Sequence, residues 1–284
     1  MERIISLPNT GVNMAATADS LFVRCGRNIH RFSLNDMRET ACTQLFAKDG
    51  RARDLLFCNH TLYARDFIML YALHGGTLET LQAWKLGEDL SSDICAFCGD
   101  DKMLYAATRG GGIAAIDVAS GEMTRHSITD TSIWSLALYG KMLFAACVGG
   151  ELLAINPADM RIVRRKQIHR KNIYSIVVKD GILYTTSQDG SLLATSALDL
   201  GEVCRAKKAI TNMTPAIGVY EDIIVTANPN RNELTLRNRH SLTAVRVVPF
   251  PTGGLGSNSV VMQGGAIFGS DREGIYRLEI SHHI

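Results

Sequence analysis

The sequence lacks most of the features that would settle a function at sight. No run of 18 uncharged apolar residues occurs, so nothing suits a membrane-spanning helix, and MERIISLPNT at the start has no long apolar region of the secretory type. The expectation is a soluble, unsecreted protein of the cytoplasm or nucleus with no membrane partner. An excess of one charge is missing too. Lys+Arg 30 against Asp+Glu 28 leaves a net charge of +2, too near neutral to make nucleic acid the principal partner, so any basic site must be local. Catalytic signatures are absent: there is no Gly-x-Ser-x-Gly, no Walker-type loop and no His-Glu-x-x-His. A non-catalytic chain without a cofactor is expected.

Glycine-rich and metal-like stretches are present only in weak form. Gly110-Gly111-Gly112 lies between two strand patterns with no helix after it, which makes a turn rather than a phosphate cradle. The 8 histidines are scattered, His282-His283 read as a frayed end, and no metal constellation is evident along the chain. Cys95-Ala96-Phe97-Cys98 has the spacing of a metal or redox pair. It has no second copy, however, and strand positions three apart face opposite sides. The 7 cysteines are odd in number and mostly sit in apolar patterns such as FAAC at 144–147, as buried reduced thiols would.

What the chain does contain is a repeat. In residues 171–198 an apolar run with Ile173, Ile176 and Val178 turns at Lys179-Asp180-Gly181, resumes as Ile182-Leu183-Tyr184, turns at Gln188-Asp189-Gly190 and resumes as Leu192-Leu193-Ala194. This is an antiparallel meander. The place of Leu183 recurs at Leu21, Leu62, Leu104, Leu143, Ile224 and Ile267, at intervals of 41, 42, 39, 40, 41 and 43 residues. Seven copies near this period predict an all-β, seven-bladed β-propeller, because a four-stranded blade takes roughly 40–45 residues. No Pro/Gly/Ser-rich linker or charge run separates the copies, so one domain over 1–284 is expected.

The blades are expected to begin near Val12, Arg51, Ser91, Thr131, Lys171, Thr214 and Ser257. The seventh ends too soon to supply an outer strand. Arg3-Ile4-Ile5-Ser6-Leu7-Pro8 parallels Arg246-Val247-Val248-Pro249-Phe250-Pro251 of blade six, so the N-terminal strand is expected to complete the last blade and close the ring. Blade six replaces its second tight turn with the longer loop Asn228-Pro229-Asn230-Arg231-Asn232, and such loops often carry individuality. Arginine recurs in the outer strands at Arg125, Arg164, Arg205, Arg246 and, by wrap-around, Arg3, where an edge charge would oppose sheet-to-sheet aggregation.

Blade five resembles the WD-repeat propellers: His169, Ile173, Ser187-Gln188-Asp189-Gly190 and Leu192 stand at that family's spacing, with Thr195-Ser196 in place of Trp-Asp. The corresponding pairs elsewhere are Ile116-Asp117, Ile155-Asn156, Phe32-Ser33 and Leu278-Glu279. No blade carries the family's full set of His, Ser/Thr, Asp and Trp. A degenerate WD-repeat (WD40-like) protein is the resemblance, with a quinoprotein-like enzyme as the alternative because LYAATRGGGIAAIDVASGE at 104–122 would pass in such a blade.

The WD resemblance implies a binding face formed by the loops entering the inner strands and the turns between second and third strands. Trp134 in SIWSLA and Tyr174 in NIYSIV occupy equivalent places there, as aromatic residues do in similar substrate receptors of ubiquitin ligases. Large rings suit binding hot spots, although ordinary inter-blade packing would also place them. The run 161–171 has six cations in eleven residues, including Arg165, Lys166, Arg170 and Lys171 beside His169, with Arg205, Lys207 and Lys208 one blade later. It would suit an acidic or phosphorylated protein or peptide, an RNA backbone, or no partner at all if it is merely a solvated edge. The function expected is a protein-interaction scaffold or peptide-binding adaptor contacted through Trp134, Tyr174, Arg165, Lys166, His169, Arg170 and Lys171.

Overall fold

The computed structural model describes residues 1–7, 13–46, 55–210, 217–228, 231–250, 260–271 and 273–280. They include a 3-10 turn at Leu90–Ser92 and strands that form seven four-stranded antiparallel sheets. Local sequence explains the hairpins. At Asp180-Gly181 both residues have positive φ (50° and 74°), as do Asn59-His60 (45° and 61°). Two consecutive residues in that region give the turn whose twist matches the flanking strands.

The chain divides into two compact units. The second, Phe67–Leu70 with Trp84–Thr214, holds blade three, β10 (Ile94–Gly99), β11 (Met103–Thr108), β12 (Gly112–Asp117) and β13 (Met123–Ser127). Blade four is β14 (Ile133–Tyr139), β15 (Met142–Cys147), β16 (Glu151–Asn156) and β17 (Arg161–Gln167). Blade five is β18 (Ile173–Lys179), β19 (Ile182–Ser187), β20 (Leu192–Ser196) and β21 (Glu202–Ala206). The character of each strand follows its place. β15 and β16, in the middle of their sheet, are buried on both faces, whereas outermost β17 is almost wholly exposed. Alternate residues of β15 serve different cores: Leu143, Ala145 and Cys147 pack with Tyr105 and Ile113 of blade three. Phe144 and Ala146 pack with Ile173 and Leu183 of blade five.

The first unit, Met1–Asp66 with Tyr71–Ala83 and Pro215–Ile284, repeats this logic. Blade one is β2 (Asn13–Ala16), β3 (Ser20–Cys25), β4 (Asn28–Ser33) and β5 (Glu39–Gln44). Blade six is β22 (Ile217–Tyr220), β23 (Ile223–Asn228), β24 (Glu233–Asn238) and β25 (Ala244–Pro249). Blade two, whose residues are shared between the units, is β6 (Leu55–Cys58), β7 (Thr61–Arg65), β8 (Met69–His74) and β9 (Thr80–Lys85). Leu21 and Val23 of β3 pack with Phe268 and Ile275, while Phe22 packs with Phe46 and Leu62. All seven repeat positions, Leu21, Leu62, Leu104, Leu143, Leu183, Ile224 and Ile267, lie in second strands and are 0% exposed.

Blade seven has sheet order β1-β28-β27-β26, with β1 (Glu2–Ser6), β26 (Val260–Gln263), β27 (Ala266–Ser270) and β28 (Gly274–Glu279). The N-terminal strand therefore completes the last blade as the sequence predicts. Arg3 pairs with Tyr276 and Ile5 with Ile275, and a bulge at Ile4 separates the two pairs. Pro8, the expected blade starts Val12, Arg51, Thr214 and Ser257, the blade-six loop residues Pro229 and Asn230, and His282-His283 lie outside the described residues.

Register revises the outer-strand arginines. Arg125 and Arg205 pair with Ala114 and Leu193, and in blade four the equivalent partner Leu153 is paired by Arg165, not Arg164. Arg164 and Arg246 pair with Ala154 and Leu236, one position along and on the opposite face. The outer strands of blades four, five and six each carry an extra residue, at Val163, Val203 and Val245, and blade three has none, so spacing along the chain does not give the pairing. Nor are the true equivalents only edge charges. Arg125 Nε and Nη2 donate to Leu86 O and Lys85 O, each at 2.9 Å. Arg205 Nη2 donates to Ile168 O at 2.7 Å. Each side chain thus ties its blade to the end of the preceding outer strand.

Two outcomes follow. Deleting residues 1–6 removes buried Ile5 and uncovers the edge of β28; at roughly 2 °C per kcal/mol for a chain of this size, a loss of several kcal/mol lowers the melting temperature by on the order of 10 °C. An unchanged melt would contradict the pairing. Arg125→Ala should cost about 1.5 kcal/mol in urea unfolding through its lost carbonyl bonds, whereas Arg164→Ala should stay within about 0.5 kcal/mol. Equal effects would reject the clamp.

Candidate partner-binding face on blades three to five

The inner strands of these blades share a local irregularity. In β10, β14 and β18 the register skips one residue between Ile94 and Ala96, Ile133 and Ser135, and Ile173 and Ser175. The skipped residues are Cys95, Trp134 and Tyr174. A bulge residue leaves the ladder and re-aims its side chain, and here two such side chains meet. The rings of Trp134 and Tyr174 stack with centroids 5.3 Å apart and planes 11° from parallel. Both remain partly exposed. The contact is held from below by Ser135, whose Oγ accepts the Ile176 N–H at 3.1 Å, joining two inner edges that would otherwise leave that donor without a strand partner.

The loop entering β18 carries Arg170 and Lys171, both exposed. It is fastened by a polar cluster beneath it. His169 Nδ1 lies 2.9 Å from Ser191 Oγ and Nε2 lies 2.8 Å from Thr185 Oγ1. Asp189 accepts the Arg170 N–H at 3.0 Å, the Ser191 N–H at 2.9 Å and the Ser191 hydroxyl at 2.5 Å. With its own proton committed to Asp189, Ser191 Oγ is an acceptor for His169, so the imidazole is neutral with the proton on Nδ1 and accepts from Thr185 at Nε2. Gly150 (φ 96°) completes the fastening: its carbonyl accepts the N–H groups of Ile168 and His169 at 3.1 Å, and a Cβ there would run into His169 O and Lys171 O. Gly111 (φ 79°) is enclosed in the same way by Thr129 O and Thr131 O, so the glycine-rich stretch is a turn, as expected.

The structure separates the expected site residues. Trp134, Tyr174, Arg170 and Lys171 belong to inner-strand starts and the loop that feeds them. Arg165 and Lys166 lie on outermost β17, with β15 and β16 between that strand and β14, roughly 14 Å away at normal strand spacing. Arg165 is also paired with Glu151 at 3.5 Å. His169 is a correction: its side chain is 0% exposed, so it positions the loop and touches no partner. Of the WD-repeat set, blade five brings together His169, Thr185 and Asp189, and Thr195 at the tryptophan place is 0% exposed with no hydrogen bond to its Oγ1. Reasoning from sequence missed Arg109, an exposed guanidinium 3.3 Å from Asp93. It also missed exposed Phe67 and Leu90, which line a shallow hollow with Asp93. Nothing in the chain marks these, because residues 67 and 90 come together only through folding. Cys98 packs on the core of blades three and four, and burial pushes its thiol well up.

Seven four-stranded antiparallel blades, the last completed by the N-terminal strand, define a β-propeller. Solved structures share the fold at low identity. The β-propeller domain of Cps50 (Swd1) from Myceliophteria thermophila matches at TM-score 0.81 and 12% identity over 97% of each chain. The computationally designed protein Ika8 matches at TM-score 0.73 and 11% identity, over 99% of this chain and 100% of that one. BamB from Moraxella catarrhalis matches at TM-score 0.68 and 10% identity, over 96% of this chain and 85% of that one. No protein-family model matches the chain, and no curated protein does. No helix among the described residues is long and apolar enough to cross a membrane.

The polar cluster sets a pH dependence. Burial holds His169 down to about 4 against an ordinary 6.5, despite attraction from Asp189. Burial alone would raise Asp189, but hydrogen bonds from the Ser191 hydroxyl and the Arg170 and Ser191 backbones outweigh it and bring the carboxyl to about 2. Between pH 6.5 and 4 the unfolded chain therefore takes up a proton at His169 that the folded chain refuses. Stability is complete above pH 6.5 and declines by about 3 kcal/mol toward pH 4. Urea midpoints should show this slope in the natural chain and a flatter one in His169→Gln; parallel slopes would place His169 outside the effect.

Proposed function

We propose that the chain is a non-catalytic interaction scaffold that holds an acidic or phosphorylated protein segment on the inner-strand face of blades four and five. The observation that carries this reading is the Trp134–Tyr174 stack, two large rings in parallel contact yet partly exposed. An aromatic platform buries large area at small conformational cost, which is what binding anchors require. Beside it, exposed Arg170 and Lys171 sit on a loop already fixed by the His169, Asp189 and Ser191 bonds. Little ordering entropy then remains to be lost on binding, and the two cations supply charge-assisted bonds to carboxylate or phosphate. The propeller fold favours such use, since its loops and turns offer many positions on a rigid frame. A reducing compartment, cytoplasm or nucleus, suits the buried thiols of Cys98 and Cys147.

The test is affinity purification of the tagged chain from its own cells beside a Trp134→Ala/Tyr174→Ala/Arg170→Ala version, with partners identified by mass spectrometry. A defined partner should be lost from the variant while its melting temperature stays within a few degrees. If the same partners remain, the contact lies on another surface.

A further inference from the structure

We propose that blade one carries a site for a divalent transition ion of the Zn(II) type, with His30, Glu39 and Cys42 as its protein ligands. The three come from the neighbouring strands β4 and β5. His30 and Cys42 are directly opposed across the ladder, so their side chains leave the same face a few ångströms apart. Glu39 would belong to the opposite face in regular alternation, but an extra residue at Thr40 shifts the register so that Glu39 stands opposite Phe32. The bulge is closed by a bond from Thr40 Oγ1 to Arg31 O at 3.2 Å. It brings the carboxylate to 3.3 Å from His30 Nδ1, and the imidazole, carboxylate and thiol donor atoms all lie within 4.8 Å of one another. Tetrahedral Zn(II), at about 2.0–2.3 Å from N, O and S, needs its ligands roughly 3.3–3.8 Å apart. Small side-chain rotations meet that.

Comparison with blade five sharpens the argument. There the same three register places hold Leu193, Glu202 and Arg205, and Arg205 neutralises Glu202 at 2.7 Å. Blade one keeps the carboxylate, removes the guanidinium and puts a thiol in its place, with an imidazole where blade five has leucine. A fixed cation has been exchanged for soft and borderline donors around the same carboxylate, which is the ligand set that imidazole- and thiolate-seeking ions select. Phe32 stacks on His30 at 6.1 Å and 19°, orienting the ring.

Among the described residues Cys42 is the one exposed cysteine, which gives a direct readout. Purified full-length chain titrated with Co(II) should show a thiolate charge-transfer band saturating at one equivalent, and Zn(II) should displace it. Cys42→Ser and His30→Ala should each weaken binding by about a hundredfold or more, and Glu39→Gln by about tenfold, with circular dichroism and metal-free melting unchanged. Zn(II) should also shield Cys42 from iodoacetamide, followed by peptide mass. Absence of the band, its persistence in Cys42→Ser, or equal alkylation with and without Zn(II) would overturn the proposal.

Discussion

The structure depends on sheets packed face to face, since no single blade can bury both of its faces. β15 illustrates the constraint: Leu143, Ala145 and Cys147 belong to one core and Phe144 and Ala146 to the next. A strand so placed is mainly apolar, as β15 is, and can hold a polar residue such as Thr185 of β19 where it is bonded to a partner, while an outermost strand such as β17 is free to be charged. The gradient from buried middle to exposed edge is then the same in every blade. Cooperative stability in a repeat architecture comes from these neighbour interfaces, and the loss of a strand or of an inter-blade clamp is felt beyond the blade that contains it.

Polar contacts add position where apolar packing leaves orientation free. Arg125 and Arg205 bind carbonyls of the preceding blade, and Ser135 serves the inner edge of blade five. Within blade five the buried His169 is neutral, fully partnered and useful only through the loop it fixes. Rigidity in the loop follows from burial of the cluster, because a half-satisfied polar network inside a protein is costly and the satisfied arrangement has no close competitor.

Bulges distribute the chemistry. At inner strands they turn Trp134 and Tyr174 out of the ladder; at outer strands they bring Glu39 to the face of His30 and Cys42. One extra residue in a repeated place thus yields different surfaces according to which side chain occupies it. Blades with the same four-stranded antiparallel order can carry an aromatic platform, an arginine clamp or a set of metal-ligating donors.

The sequence by itself determined the number of blades, the hairpin turns and the N-terminal completion of the last sheet. Each of these rests on local patterns: an apolar residue every 39–43 positions, Asp-Gly turns needing positive φ, and a missing fourth strand. It also pointed to Trp134 and Tyr174, because equivalent places 40 residues apart are visible as a period. Tertiary structure alone decided which arginines are equivalent, since the pairing across each ladder, with outer-strand bulges at Val163, Val203 and Val245 and none in blade three, leaves no trace in spacing. It alone decided that His169 faces inward and that His30, Glu39 and Cys42 meet, because pairing between strands, and not distance along the chain, sets which side chains share a face.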